Sequence, residues 1–259
     1  MQLIANISMM FTETAIADRL EAAQRAGFEG VEIQFPEVSD VTSLRAASDA
    51  TGLPVTLINV PRGPGDAVGL AALPGQEDAY RAAVAVCAEQ AEALGVRKVN
   101  VLAGRPPKDA AHETCLETLR HNLMHTADVM AEIGVRVMVE PVNRGDVPGF
   151  FLSGLAEGLA LLNSIDHPNL ALQFDLYHMA ITEPDLPAAI RRAGPRIGHV
   201  QFADTPGRNE PGTGVTDFAA AFAALREIGY DAEISAEYDP QSTTTEGLGW
   251  MSEFKRMMT

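Results

Sequence analysis

Four acidic or amide side chains recur at wide, regular spacing in the second half of the chain. Each follows a short apolar run, and each lies 26 to 36 residues from the next: Glu140, Asp175, Gln201 and Glu237. A single carboxylate in such a position is commonly a helix cap or a surface charge, but four in succession are hard to explain in that way. Three converging carboxylates repel one another unless a cation neutralises them. Because oxygen ligands select hard ions over zinc, we predict that all four residues bind Mg²⁺ or Mn²⁺.

Two of these carboxylates are suited to acid–base catalysis. Moving a carbonyl group to the neighbouring carbon requires removal of one proton and return of another, through an enediolate whose oxygens need electrostatic stabilisation. Glu140 and Glu237 follow the fifth and eighth apolar runs and suit the roles of base and acid. The sequence leaves open which of them takes the first proton.

Further polar residues near these four are candidates for substrate contacts. His178 follows Asp175 by three residues, and His199 precedes Gln201 by two, which places it on the same strand face. A turn-rich loop at 205–214 carries a guanidinium that suits a substrate carboxylate. The predicted substrate-binding residues are His178, His199, Arg208 and Glu210. The other four histidines are interpreted as surface or packing residues.

The elements that must position these side chains alternate regularly along the whole chain. Short apolar runs, typical of strands buried on both faces, are separated by segments with helical spacing. Such alternation indicates parallel strands joined by right-handed crossovers. Eight units in a chain of 259 residues predict a (β/α)8 TIM barrel, an α/β fold forming one domain over residues 1–259, with its active site at the carboxyl ends of the strands. The predicted strands are 3–8, 30–35, 54–59, 98–103, 136–142, 170–175, 197–204 and 233–238.

The sequence also offers one alternative fold and one irregular segment. An open doubly wound sheet is the alternative, although the glycine-rich phosphate loop typical of that fold is missing after the first strand. The stretch 59–76 is rich in glycine and proline, follows the third predicted strand and is expected to cover the barrel mouth.

Charge and composition exclude several classes of protein. With 19 basic and 35 acidic residues the net charge is −16, which opposes binding to nucleic acid or to an anionic membrane surface. No apolar run approaches the roughly 20 residues of a membrane-spanning helix, and the first residues lack the pattern of a signal peptide. Two cysteines form no disulfide framework. We therefore expect a cytoplasmic protein that acts on a small molecule.

Nearly the whole chain resembles the hydroxypyruvate isomerase family, within the xylose-isomerase-like barrels. The most specific stretches read EPVN at 140–143, DLYHM at 175–179, GHVQFAD at 198–204 and RNEPGTG at 208–214. The resemblance implies interconversion of hydroxypyruvate and tartronate semialdehyde (2-hydroxy-3-oxopropanoate), both small 2-oxo or hydroxy acids. It also implies a metal held by the four residues named first, proton transfer by Glu140 and Glu237, and self-association into a homo-oligomer.

The chain departs from the family pattern after the third predicted strand. Family members usually carry a Gly-Asp-Trp segment there and then an arginine, whereas here Ala67 follows Gly65 and Asp66, and that arginine is absent. Ile58 stands where histidine is common. These differences keep open an isomerase of a larger sugar acid such as 2-oxo-tetronate, or a ketose 3-epimerase, although epimerases usually have histidine at the position of Gln201.

Two other classes of function are weaker alternatives. A DNA-repair endonuclease on the same barrel would need histidine-rich zinc ligands and a basic face, which the net charge of −16 opposes. A barrel that binds without catalysing is disfavoured because both glutamates are present.

Overall fold

Eight parallel strands close into a barrel in the computed structural model, which describes residues 1–258. Each strand pairs with its sequence neighbours, and the first strand also pairs with the last. The strands are β1 Gln2–Asn6, β2 Gly30–Ile33, β3 Val55–Asn59, β4 Lys98–Val101, β5 Arg136–Val139, β6 Leu170–Asp175, β7 Ile197–Phe202 and β8 Glu233–Ala236. The predicted TIM barrel is confirmed, and the open sheet is excluded because the sheet has no edge.

Helices connect the strands and surround the barrel. They are α1 Asp18–Ala26, α2 Val41–Thr51, α3 Glu77–Leu94, α4 His112–Glu132, α5 Gly154–Ile165, α6 Leu176–Thr182, α7 Leu186–Ala193, α8 Phe218–Glu227 and α9 Met251–Met258. The β6–β7 connection contains both α6 and α7. Gly27 ends α1 with φ +87°, a backbone conformation that favours glycine. Within residues 1–258, no helix combines the length and the apolar character needed to cross a bilayer.

Apolar packing falls into two separate clusters. The larger cluster fills the layer between the strands and the surrounding helices. The smaller consists of Leu57, Met138 and Ala171, which lie two residues before Asn59, Glu140 and Gln173 and hence on the same inward strand faces. This smaller cluster fills only part of the barrel interior, and polar side chains occupy much of the rest.

Several strands are shorter than the apolar pattern predicts. For example, β1 ends at Asn6 rather than residue 8, and β7 ends at Phe202 rather than residue 204. The pattern continues further because residues in the following loops are also buried, as Ile7 and Ala203 are. At the barrel mouth, residues therefore remain buried beyond the point where strand pairing ends.

The loop 60–76 folds back against the strand-four end of the barrel. Gly69 forms an isolated antiparallel bridge with Ala103, and the Ala72 N–H donates to the Ala103 carbonyl at 2.8 Å. A Cβ at Gly69 or Gly104 would meet backbone atoms of the other segment. These contacts fix the loop so that its residues Arg62 and Val68 line the mouth of the barrel.

Candidate active site

A cavity of about 240 Å³ lies at the carboxyl ends of the strands. Four of the residues predicted from the sequence line it: Glu140, Glu237, His178 and Arg208. Asp175 and Gln201 are buried directly beside them, with Asp175 Oδ2 3.6 Å from His178 Nε2 and Gln201 Nε2 3.2 Å from Glu237 Oε1. The structure therefore brings together six of the eight predicted site residues.

Glu140, Asp175 and His178 form a compact cluster whose nearest ligand atoms all lie within 4.8 Å of one another. Asp175 is the N-cap of α6, and its Oδ1 accepts a hydrogen bond from the Tyr177 N–H at 2.9 Å. Its Oδ2 is buried and has no hydrogen-bond partner. A buried carboxylate oxygen without a donor is destabilised unless a cation is near. This oxygen and the surrounding carboxylates therefore fit a divalent metal.

The protonation state of His178 follows from its neighbour Asn143. Asn143 Oδ1 accepts from the Asp146 N–H at 2.9 Å, so its amide nitrogen faces His178 Nδ1 at 2.8 Å and donates to it. Burial lowers the pKa of His178 to about 3, which keeps the ring neutral. The remaining proton is then on Nε2, which points at Glu140 and Asp175. His178 is positioned as a hydrogen-bond donor rather than as a metal ligand.

Glu140 follows β5 and is held by two buried amides. Its Oε2 accepts from Asn100 Nδ2 at 2.8 Å and from Gln173 Nε2 at 3.0 Å. Burial, followed by repulsion from Glu237 and Asp175, raises the pKa of Glu140 well above its ordinary value. A raised pKa makes a carboxyl group a better proton acceptor when ionised, which is a property that a general base needs.

Glu237 follows β8 and accepts four hydrogen bonds. Its Oε1 receives them from Asn6 at 2.8 Å, Gln34 at 2.9 Å and Gln201 at 3.2 Å, and its Oε2 receives one from Arg208 at 2.5 Å. Burial raises the pKa of Glu237 to about 7, although the positive charge of Arg208 opposes the shift. Glu237 is thus a carboxyl group that can gain or lose a proton near neutral pH.

Arg208 is oriented by the loop that follows β7. Asp204 organises this loop, since its carboxylate accepts hydrogen bonds from four backbone N–H groups. The donors are Thr205, Gly212, Gly214 and Thr216. The guanidinium carbon of Arg208 lies 5.3 Å from the centre of the Tyr177 ring, and one guanidinium nitrogen lies 3.7 Å from Asp175 Oδ2. Arg208 therefore offsets one of the negative charges of the site.

A polar column, buried at Gln201, Glu32 and His199 and half-buried at its far end, runs down the barrel axis beneath the cavity. It consists of Gln201, Glu32, His199, Lys98 and Glu233. Glu32 Oε1 accepts from Gln201 Nε2 at 2.6 Å, and Glu32 Oε2 lies 2.8 Å from His199 Nε2. Further down, Lys98 Nζ lies 3.4 Å from His199 Nδ1 and 2.5 Å from Glu233 Oε2. Burial disfavours the charge of Glu32, but hydrogen bonds from His199, Gln201 and Asn6 outweigh it and lower its pKa.

Two predicted residues lie apart from these six, and one of the six, Gln201, has its amide oxygen engaged by another side chain. His199 belongs to the column, is fully buried and does not line the cavity. Glu210 also lies outside the cavity lining, and its Oε2 accepts from the Gln241 N–H at 3.1 Å. Gln201 directs its Oε1 towards Gln173 Nε2 at 2.6 Å. The catalytic, metal-binding and substrate-binding roles assigned to all eight residues stay predictions.

Sequence reasoning did not single out several buried polar residues that hold the catalytic candidates. They are Asn6, Glu32, Gln34, Asn100, Asn143 and Gln173. Most occupy inward strand positions, so a polar residue alternating with apolar ones was the available signal. The amides fix the orientation of the carboxylates, and Glu32 adds a charge beneath them.

The sequence has relatives over nearly its full length. The sequence profile of the xylose isomerase-like TIM barrel family matches residues 20–254. The chain is 39% identical to a 2-oxo-tetronate isomerase of Cupriavidus necator, covering 96% of this chain and 97% of that protein. It is 37% identical to the hydroxypyruvate isomerase of Escherichia coli, covering 97% of this chain and 98% of that one.

A solved structure also matches the whole barrel. The chain superposes on a Brucella melitensis protein described as a family 2 AP endonuclease with a TM-score of 0.93 and 33% sequence identity. The match covers 98% of this chain and 99% of the other.

Proposed function

The chain belongs to the xylose isomerase-like TIM barrel family, and we propose that within it the protein is a metal-dependent isomerase that interconverts hydroxypyruvate and tartronate semialdehyde. The observation that carries the proposal is the pair Glu140 and Glu237. Both are buried at the same cavity, and both have a raised pKa. The similarity to the Escherichia coli hydroxypyruvate isomerase supports the choice of substrate.

The cofactor in this proposal is Mg²⁺ or Mn²⁺. Glu140, Asp175, Gln201 and Glu237 would hold it, and the unpartnered Asp175 Oδ2 is the atom that fits it best. When bound, such an ion supplies electrostatic stabilisation of the negative oxygens that develop during isomerisation.

The protein's own side chains carry the proton transfer. In the forward direction, a carboxylate removes a proton from the hydroxymethyl carbon of hydroxypyruvate, which gives an enediolate. A proton then returns to the neighbouring carbon, and the aldehyde is formed without any net gain or loss of atoms. Glu140 and Glu237 serve as the two proton carriers, and Asn143 orients His178 so that its Nε2–H can donate to a substrate oxygen.

The second candidate substrate is 2-oxo-tetronate, which has one more carbon. The 39% identity to the Cupriavidus necator protein favours it, as does the unusual loop 60–76 at the cavity. A nuclease function has less support, because the net charge of −16 opposes binding to a polyanion and the cluster offers one histidine beside two carboxylates.

Turnover of both acids by the metal-loaded protein tests the proposal, with a chelated sample as the reference. Glu237→Gln is expected to lower kcat by about 10²–10⁴-fold, because one proton carrier is lost while the shape is kept. Glu92→Gln, on the exposed face of α3, is the matched control and should retain full activity. A loss of less than tenfold in Glu237→Gln would show that Glu237 is not a proton carrier.

A further inference from the structure

Two arginines line the cavity, and they differ in whether a carboxylate compensates their charge. Arg208 donates to Glu237 at 2.5 Å and lies 3.7 Å from Asp175, so existing carboxylates already compensate its charge. Arg62 is exposed, and in the part of the chain that the structure describes it forms no ion pair. Its guanidinium carbon lies 5.3 Å from the centre of the Phe35 ring, a second wall of the same cavity.

Charge balance gives Arg62 a role. Glu140, Asp175 and Glu237 contribute three negative charges when ionised, and Arg208 contributes one positive charge. A divalent ion would balance the remaining two, which leaves nothing to neutralise an anionic substrate. A carboxylate that enters the cavity therefore needs one more cation to offset the loss of its hydration. Arg62 is the lining residue that provides it.

The backbone around Arg62 is already fixed. Its carbonyl accepts from the Gly69 N–H at 3.1 Å, and Gly69 is bridged to Ala103 beside the barrel. Gly63 follows with φ +97°, a conformation that favours glycine. A side chain that starts from an anchored loop and stacks on an aromatic ring loses less freedom when it binds an anion.

We propose that Arg62 binds the carboxylate of the substrate and thereby makes the enzyme select short hydroxy and oxo acids over neutral ketoses. The inference rests on the proposed function, because it concerns the substrate of the same cavity. Arg62 is a specificity residue in this role, whereas Arg208 keeps its place beside Glu237. The planar guanidinium suits a carboxylate because it can donate two parallel hydrogen bonds.

Binding of D-glycerate to the Mg²⁺-loaded protein tests the proposal separately from turnover. D-Glycerate carries the carboxylate and hydroxyls of a three-carbon acid but has no carbonyl to isomerise. Isothermal titration is expected to show binding at least about tenfold weaker in Arg62→Ala than in wild type, with Arg62→Lys intermediate. Arg105→Ala is the matched control, because Arg105 is exposed on the loop after β4 and does not line the cavity.

The outcomes separate the two proposals. Equal affinity of Arg62→Ala and wild type for D-glycerate, equal losses in Arg62→Ala and Arg105→Ala, or no binding to wild type would each overturn the role of Arg62. A selective loss in Arg62→Ala without turnover of either acid would support Arg62 and reject the isomerase. Where turnover is observed, Arg62→Ala should raise KM for the acid about tenfold and leave kcat within about twofold.

Discussion

Removal of the cation should make the protein less stable as the pH rises above neutral. The folded protein holds protons on Glu237, whose pKa is raised to about 7, and on Glu140, whose pKa burial and neighbouring carboxylates raise well above its ordinary value. In the unfolded chain the same groups lose their protons near pH 4.5. The folded state binds more protons than the unfolded state between about pH 4.5 and the folded pKa values, so its stability is greatest below pH 4.5 and falls until the pH reaches those values.

The size of the effect follows from the number of protons held. One proton retained only by the folded state changes the free energy of unfolding by about 1.4 kcal/mol per pH unit, so two units correspond to about 3 kcal/mol. His178 acts in the opposite sense, because its pKa is lowered to about 3 and its contribution grows as the pH rises. That contribution is complete once the pH exceeds the ordinary value of 6.5. The contributions of Asp175, whose pKa is raised to about 6, and of Glu237 are lost by about pH 7, so a continued fall in stability from there to pH 8.5 reports the proton held by Glu140.

The assay is guanidinium denaturation of the chelated protein from about pH 6.5 to 8.5, repeated with saturating Mg²⁺ or Mn²⁺. The free energy of unfolding of the chelated protein should fall by about 1.4 kcal/mol per pH unit while one carboxyl group keeps its proton, and the metal should remove most of this fall because it favours the ionised carboxylates. Glu140→Gln should flatten the slope, whereas the exposed control Glu92→Gln should keep it. A chelated wild type whose stability is constant or rises from pH 6.5 to 8.5 would refute the assignment of raised pKa values.

Two further substitutions test the supports of the site. Glu32→Gln should destabilise the protein by about 2 kcal/mol in chemical denaturation, because the new amide sets a donor against His199, Gln201 or Asn6. An unchanged denaturation midpoint would show that the hydrogen bonds of the polar column do not stabilise the fold. Gly104→Ala should lower the melting temperature and also raise KM, because φ is +89° and the added Cβ would meet the Gly69 carbonyl that anchors the mouth loop. A variant with unaltered melting temperature and KM would show that this contact is dispensable.

The fold could be predicted because its signal is repeated eight times. Each strand is an apolar run and each connection has helical spacing, so an error at one boundary leaves the alternation intact. The site residues after β5, β6 and β8 could be predicted for a similar reason. Glu140 and Glu237 lie directly beyond the strand ends, and Asp175 is the last residue of its strand, where the fold places its chemistry.

The first half of the barrel gave no comparable signal. Glu32 lies between Val31 and Ile33 and reads like the exposed position of an alternating strand. Closure of the barrel decides that this face points inward, and closure is a property of all eight strands together. Arg62 was hidden for another reason, because its position depends on a loop held by contacts with Ala103, about 40 residues away along the chain.

The axial column has a consequence for how this protein can change over time. Its acceptors and donors are matched pairwise, from Lys98 and Glu233 at one end to Gln201 beneath the cavity at the other. An apolar interior tolerates single conservative substitutions. In this column, a single substitution leaves a polar group inside the barrel without its hydrogen-bond partner. Substitutions should therefore accumulate in the helices around the barrel, whereas the residues of the column should change only together. Substitutions that change the substrate preference should therefore be tolerated better at the cavity mouth, around Arg62, than in the polar column below it.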